Sequence, residues 1–112
     1  MQSKFILKVE GQADLNLTSK DRLISTLDNI SPYLFVILES GDFFIQMVLD
    51  SDVFFDSVVE MNGYTASTPQ YYRKVGLTFL EIKEMFQLFY DTNKLPSEIG
   101  WENITIEIQN NE

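Results

Sequence analysis

The chain has 112 residues, a length that folds as one domain around one core, and it carries neither cysteine nor histidine. That excludes disulfide frameworks, thiol and imidazole nucleophiles, and metal sites built on Cys or His. With 17 acidic against 8 basic residues the formal charge is -9, which disfavours nucleic acid and anionic membrane surfaces as partners.

In residues 4–10, Phe5, Leu7 and Val9 alternate with Ile6 and two polar residues, the two-residue period of a strand. A helix follows Gly11, with Thr18 as its expected cap, Asp21 near its positive end, and Leu23, Ile24, Leu27 and Ile30 on one stripe. Pro32 is placed to stop it. Three apolar runs come next, over residues 33–38, 43–49 and 53–61, broken at Glu39-Ser-Gly-Asp42 and Asp50-Ser-Asp52. They predict a three-stranded antiparallel meander. The wholly apolar run Leu34 to Leu38 belongs at its centre, and Asp56 and Glu60 share a face of its third strand, turned to solvent or a partner.

Asn62 and Gly63 close that section; residues 64–70 read as a loop and 71–75 as a short strand carrying Arg73 and Lys74. The second helix has a defined start. Thr78 and Glu81 have the spacing of a capping box, and Leu77 can staple to Ile82 across it. Ile82, Met85, Phe86 and Phe89 then make a stripe that lies on a sheet, and Pro96 marks the end. Ile104, Ile106 and Ile108 alternate with Thr105 and Glu107 as a last strand. Trp101, just before it, either caps the core at the helix end or stands at the rim of an interface.

The expected fold is therefore α+β over residues 1–112, in the order β-α-β-β-β-β-α-β. It is a mainly antiparallel sheet with two helices packed on one face. Tyr, Phe and Met on both sides of the middle strands call for either strong curvature or an aromatic contact surface on the other face. The opening residues lack the basic start and apolar run of a signal peptide, and no apolar run approaches the roughly 20 residues of a membrane span. The expectation is a cytoplasmic chain, so the triplets at Asn16, Asn29 and Asn103 are not read as glycosylation sites.

Catalytic chemistry finds little to work with. Asp50-Ser-Asp52 begins like a calcium loop, but Phe54 stands at the next ligand position and Phe55 where glycine is required. Asp56 and Glu60, four residues apart on a strand, have α-carbons roughly 13 Å apart, longer than the usual separation of glycosidase carboxyls. The glycines are isolated and make no phosphate cradle. Arg73-Lys74 beside Tyr71-Tyr72 can hold a phosphate, yet in so acidic a chain pairing with its own carboxylates accounts for them. No catalytic residue, metal or cofactor is assigned.

Charge is distributed unevenly. From Leu23 to Tyr72 there is no Lys or Arg, while Asp28, Glu39, Asp42, Asp50, Asp52, Asp56 and Glu60 all fall inside. This stretch is the expected surface for a basic partner, with Asp42, Asp50, Asp52, Asp56 and Glu60 as charged contacts and Phe44, Phe54 and Tyr64 as aromatic anchors.

Several features together resemble the small α+β immunity proteins of bacterial contact-dependent and polymorphic toxin systems. They are the hairpin residues Gly41-Asp42-Phe43-Phe44-Ile45-Gln46, the Tyr72-Arg73 strand, the capped helix Thr78-Phe-Leu-Glu81, Leu95-Pro96 and Trp101. The resemblance spans residues 33–107 and implies an antitoxin that binds one cognate, basic toxin domain, as a monomer or homodimer. It supplies no fixed binding residues. Two other readings remain open: a structural or adaptor subunit that self-associates through its sheet, and a small hydrolase or ligand-binding domain using Tyr and carboxylates.

Overall fold

The strand periods resolve into one sheet in a computed structural model that describes residues 5–30, 34–49, 57–65, 68–97 and 99–106. The elements are β1 (Phe5–Val9), β2 (Leu15–Leu17), α1 (Lys20–Asp28), β3 (Phe35–Ser40), β4 (Phe43–Leu49), β5 (Ser57–Thr65), β6 (Thr68–Leu77), α2 (Phe79–Thr92) and β7 (Glu102–Asn103). They form a seven-stranded sheet, β2-β1-β3-β4-β5-β6-β7, in which every neighbouring pair is antiparallel. The α+β class and the helix positions agree with the sequence pattern. The addition is β2, a three-residue edge strand opposite β1, too short to show a period of its own.

Both helices lie on one side. Phe5, Leu7, Val36, Leu38, Ile45, Met47, Val59 and Met61 alternate along β1, β3, β4 and β5 and form one core with Leu23 and Leu27 of α1 and Ile82, Phe86 and Phe89 of α2. Phe5 stands edge-on to Phe89, with ring centroids 5.2 Å apart, a geometry worth about 1 kcal/mol beyond the area it buries. Trp101 packs against the same core, the first of its two expected roles. The helices run antiparallel, because Lys20 at the start of α1 meets Asp91 near the end of α2 at 2.7 Å, while Asp28 at the end of α1 meets Lys83 at 2.8 Å. Lys20 and Asp91 each stand at the end of their own helix where the dipole disfavours their charge; the partner on the other helix offsets this.

Local chemistry sets the helix limits. The cap of α1 is Ser19, one residue after the expected Thr18: its backbone is extended and its hydroxyl accepts the Arg22 N–H. The helix ends at Asp28 and is closed by Asn29, before Pro32, which lies outside the described residues. The capping box of α2 is complete. Thr78 Oγ1 accepts the Glu81 N–H, while Glu81 Oε1 accepts the Thr78 N–H at 3.1 Å and its hydroxyl at 3.0 Å. Leu77 and Ile82, the expected staple, are both buried. Asn93, at φ 55, closes the helix in the left-handed region by donating to the Phe89 carbonyl.

Three strand expectations need correction. Residues 53–61 were to form the third strand of the meander, but β5 begins at Ser57 and runs through Asn62 and Gly63 to Thr65; residues 53–56 lie outside the described set. Of the expected loop over residues 64–70, Tyr64 and Thr65 belong to β5 and Thr68 to Gln70 to β6, paired as far as Thr65 opposite Thr68, while residues 66–67 lie outside the described set. The polar turn-forming side chains of these strand ends imitate a loop in the sequence, yet the backbone ladder continues beneath them. Finally, β7 is Glu102–Asn103 and ends before the expected strand of Ile104, Ile106 and Ile108, of which Glu107 and Ile108 lie outside the described residues. Ile104 is 2% exposed and Ile106 is 73% exposed, which two same-face positions of an extended strand would not show, and the backbone turns helical at Thr105 and Ile106.

Loss of the α2 cap has a measurable cost: Thr78→Ala is expected to lower stability by about 1 kcal/mol in urea unfolding at neutral pH. The box also titrates. The Thr78 backbone N–H, then its hydroxyl, and the charge of Lys74 hold the Glu81 carboxyl below its ordinary value. A carboxyl lowered on folding contributes stability above its unfolded pKa and loses it as pH falls through the folded one. The stability gap between the wild type and Glu81→Gln should therefore be open at neutral pH and close on acidification below the usual carboxylate range. A gap constant down to the acid unfolding limit would contradict this account.

Candidate binding face

Because side chains alternate along a strand, the residues between the core positions all point to the side away from the helices. No described element covers that side. The printed register lays out a band across six strands: Lys8 opposite Ile37, Ile37 opposite Gln46, Gln46 opposite Glu60, Glu60 opposite Arg73, and Arg73 opposite Glu102. Glu39 joins it diagonally, 3.4 Å from Lys8, and Arg73 lies 3.9 Å from Glu60. Acids and bases thus alternate along the band. On one flank the register runs from Ile6 through Glu39 to Phe44 and then from Asn62 to Tyr71, with the Phe44 and Tyr71 rings 6.4 Å apart; on the other flank Phe35 stands opposite Val48. Ile37, Phe44, Gln46, Glu60 and Tyr71 are all half-buried without a covering layer among the described elements, so neighbouring side chains on the sheet shield one another.

The structure describes four of the eight expected site residues, Asp42, Phe44, Glu60 and Tyr64. Phe44 and Glu60 are on this face, half-buried, and Asp42 is exposed in the two-residue turn between β3 and β4, where Gly41 takes φ +61. Tyr64 lies in β5 opposite Pro69. Asp50, Asp52, Phe54 and Asp56 lie outside the described residues.

Space also changes the charge pattern. Asp28, Glu39 and Glu60, three of the seven acids in the base-free stretch, pair with Lys83, Lys8 and Arg73 from outside it. Sequence reasoning missed Lys8, Gln46, Arg73 and Tyr71 as members of the face. A signal for them existed: Phe44, Gln46 and Val48 alternate, and the ladder that pairs Thr65 with Thr68 sets Glu60 opposite Arg73.

Asn62 anchors one end of the face. It is 4% exposed, its amide donates to the Asp42 carbonyl, and its oxygen accepts the Phe44 N–H. The backbone ladder of β4 and β5 extends to Ile45 opposite Met61, and the Asn62 side chain supplies the next two bonds. Beside it opens a cleft of ≈ 320 Å³ whose walls include Phe43, Met61, Tyr72, Leu95 and Pro96. Among the described residues no group of three or more acidic side chains is placed to hold a metal ion. No helix among them is long and apolar enough to cross a membrane.

Asn62→Leu should cost about 1–3 kcal/mol, because it leaves a buried N–H and a buried carbonyl without partners. By contrast, a double-mutant cycle on Glu60→Gln and Arg73→Gln should give a coupling below about 1 kcal/mol, since both groups are near 30% exposed and 3.9 Å apart. Urea unfolding of these variants measures both; equal effects at the two sites would refute the ranking.

Comparison with protein-family models, with curated proteins and with solved structures finds no match, so the role of this face rests on its own residues.

Proposed function

We propose that the chain is a protein-binding module that neutralises a basic partner, as immunity proteins of bacterial toxin systems do. The observation that carries this reading is the sheet face left uncovered by described elements, where the Phe44–Tyr71 ring pair on one side and Phe35 and Val48 on the other flank a band of alternating charge. Aromatic and aliphatic groups already half-shielded lose little further freedom when a partner covers them, and Phe44 and Tyr71 have the character of interface anchors. The band fixes register, because a mismatched partner would set like charges together. The net charge of -9 accelerates encounter with a basic protein and repels a second copy of the same chain. Edge-to-edge self-assembly is the weaker reading, since the outer strands have three and two residues and offer short templates.

The test is co-expression with the products of the adjacent genes, followed by purification and binding kinetics. One of those products should co-purify, with an association rate that falls steeply as salt is raised. Asp42→Lys should slow association, and Phe44→Ala should speed dissociation roughly tenfold or more. A wild-type chain that binds none of them, and that light scattering shows to be a concentration-dependent dimer, would replace this reading with the adaptor one.

A further inference from the structure

The core on the helix side of the sheet stops short of one end. Ile45, Met61 and Tyr72 stand opposite one another across β4, β5 and β6, and Ile45 and Met61 are buried there. Two residues before Ile45, on the same face, Phe43 is 40% exposed. The helical roof ends at this point: α2 runs to Thr92, Asn93 turns the chain at φ 55, and Lys94, Leu95 and Pro96 follow. A cleft of ≈ 320 Å³ opens between the two sides, with Phe43, Met61 and Tyr72 on the sheet and Leu95 and Pro96 on the segment after α2.

Its size and lining are those of a small-ligand site. Such pockets begin at roughly 300 Å³ and are mostly apolar, with a few polar groups that orient the ligand. The walls are also fixed in advance. Asn62, 4% exposed, bonds the Asp42 carbonyl and the Phe44 N–H and so holds the strand start that carries Phe43. Opposite, the Asn93 N–H donates to the Phe89 carbonyl at 2.8 Å, the Lys94 N–H donates to Thr92 Oγ1 at 3.2 Å, and Leu95 packs against the core. A ligand entering here covers the exposed part of Phe43 without having to order the site first.

Charge selects the head group. Among the described residues that line the cleft, Lys94 is the charged one, and Asp42, which precedes Phe43, is not a lining residue. Lys8, Lys20, Lys83 and Arg73 each face a carboxylate, and Lys74 acts on Glu81. Lys94 makes no ion pair among the described residues, although the chain has 17 acidic side chains. It follows the C-terminus of α2, where the helix dipole favours a cation, so its charge belongs to the site with or without a ligand. The net charge of -9 opposes an anion at long range, but salt screens that term and the adjacent ammonium decides at contact. Because Lys94 is exposed, its pair with a ligand carboxylate sets selectivity, and the apolar walls supply most of the affinity.

We propose that the cleft between the start of β4 and the segment after α2 binds a small apolar molecule carrying one carboxylate. The aliphatic or aromatic body lies against Phe43, Met61, Tyr72 and Leu95, and the carboxylate lies toward Lys94. This site is on the helix side of the sheet, away from the binding face, and stands independently of the protein-binding reading.

The test titrates the isotope-labelled chain with octanoate, octanol and octylammonium, which share one body and differ in the head, and follows the NMR shifts. Octanoate should give saturating shifts centred on Met61, Tyr72 and Leu95, with a Kd below about 1 mM and at least about threefold below that of octylammonium. Lys94→Gln should raise the octanoate Kd about threefold or more while octanol stays within about twofold, and Lys94→Arg should restore octanoate binding. Octanoate shifts that stay linear to about 10 mM, or that saturate elsewhere on the molecule, overturn the site. Octylammonium binding as tightly as octanoate, or an octanoate Kd unmoved by Lys94→Gln, overturns the carboxylate ligand.

Discussion

Two short helices can roof only one face of a seven-stranded sheet, and the rest of the structure follows from that limit. Six inter-strand gaps make a sheet roughly 29 Å wide, and two helices side by side cover about 20 Å of it. The chain therefore builds one core, from every second residue of β1, β3, β4 and β5 against five fully buried side chains of α1 and α2. The other face must satisfy water and its own backbone at once. Half-buried apolar groups on either side of a charged band are one solution, since the charges find opposite neighbours while the aliphatic parts of the side chains shelter the sheet.

Antiparallel pairing turns distance along the chain into adjacency, which is why the acidic stretch changes character on folding. Glu60 and Arg73 are thirteen positions apart but face each other across the β5–β6 ladder, and Glu39 meets Lys8 from the opposite end of the base-free segment. Asp28 is taken up by Lys83 between the helices. These pairs are partly exposed and contribute little stability each; their effect is to remove negative charge from the middle of the face. Among the described residues, the exposed acids at the border of the face are Asp42 in the β3–β4 turn and Glu102 in β7.

Legibility in the sequence follows the range of the interaction that decides each element. The capping box Thr78–Glu81, the stripe Ile82–Phe86–Phe89 and the strand Phe43–Leu49 depend on neighbours within a turn or a strand, and they read correctly. The cap of α1 moved one residue, because Thr18 and Ser19 are both competent and only the backbone chooses between them. β2 and the run after Trp101 were misread for a different reason. Leu15 and Leu17 become a strand only because β1 lies beside them, and Ile104 is buried by its surroundings rather than by alternation. Of the candidate site, Phe44, Glu60 and Asp42 were visible as residue types, but their grouping required the register.

The reading of residues 64–70 as a loop failed in an informative way. Asn62-Gly63 and Thr68-Pro69 are turn signals in any isolated peptide, and a strand that carries them gives up side-chain packing and one ladder donor. The structure keeps the strand by other means. Asn62 spends its amide on β4 and on the turn before it, and Pro69 sits where its missing N–H would have faced outward.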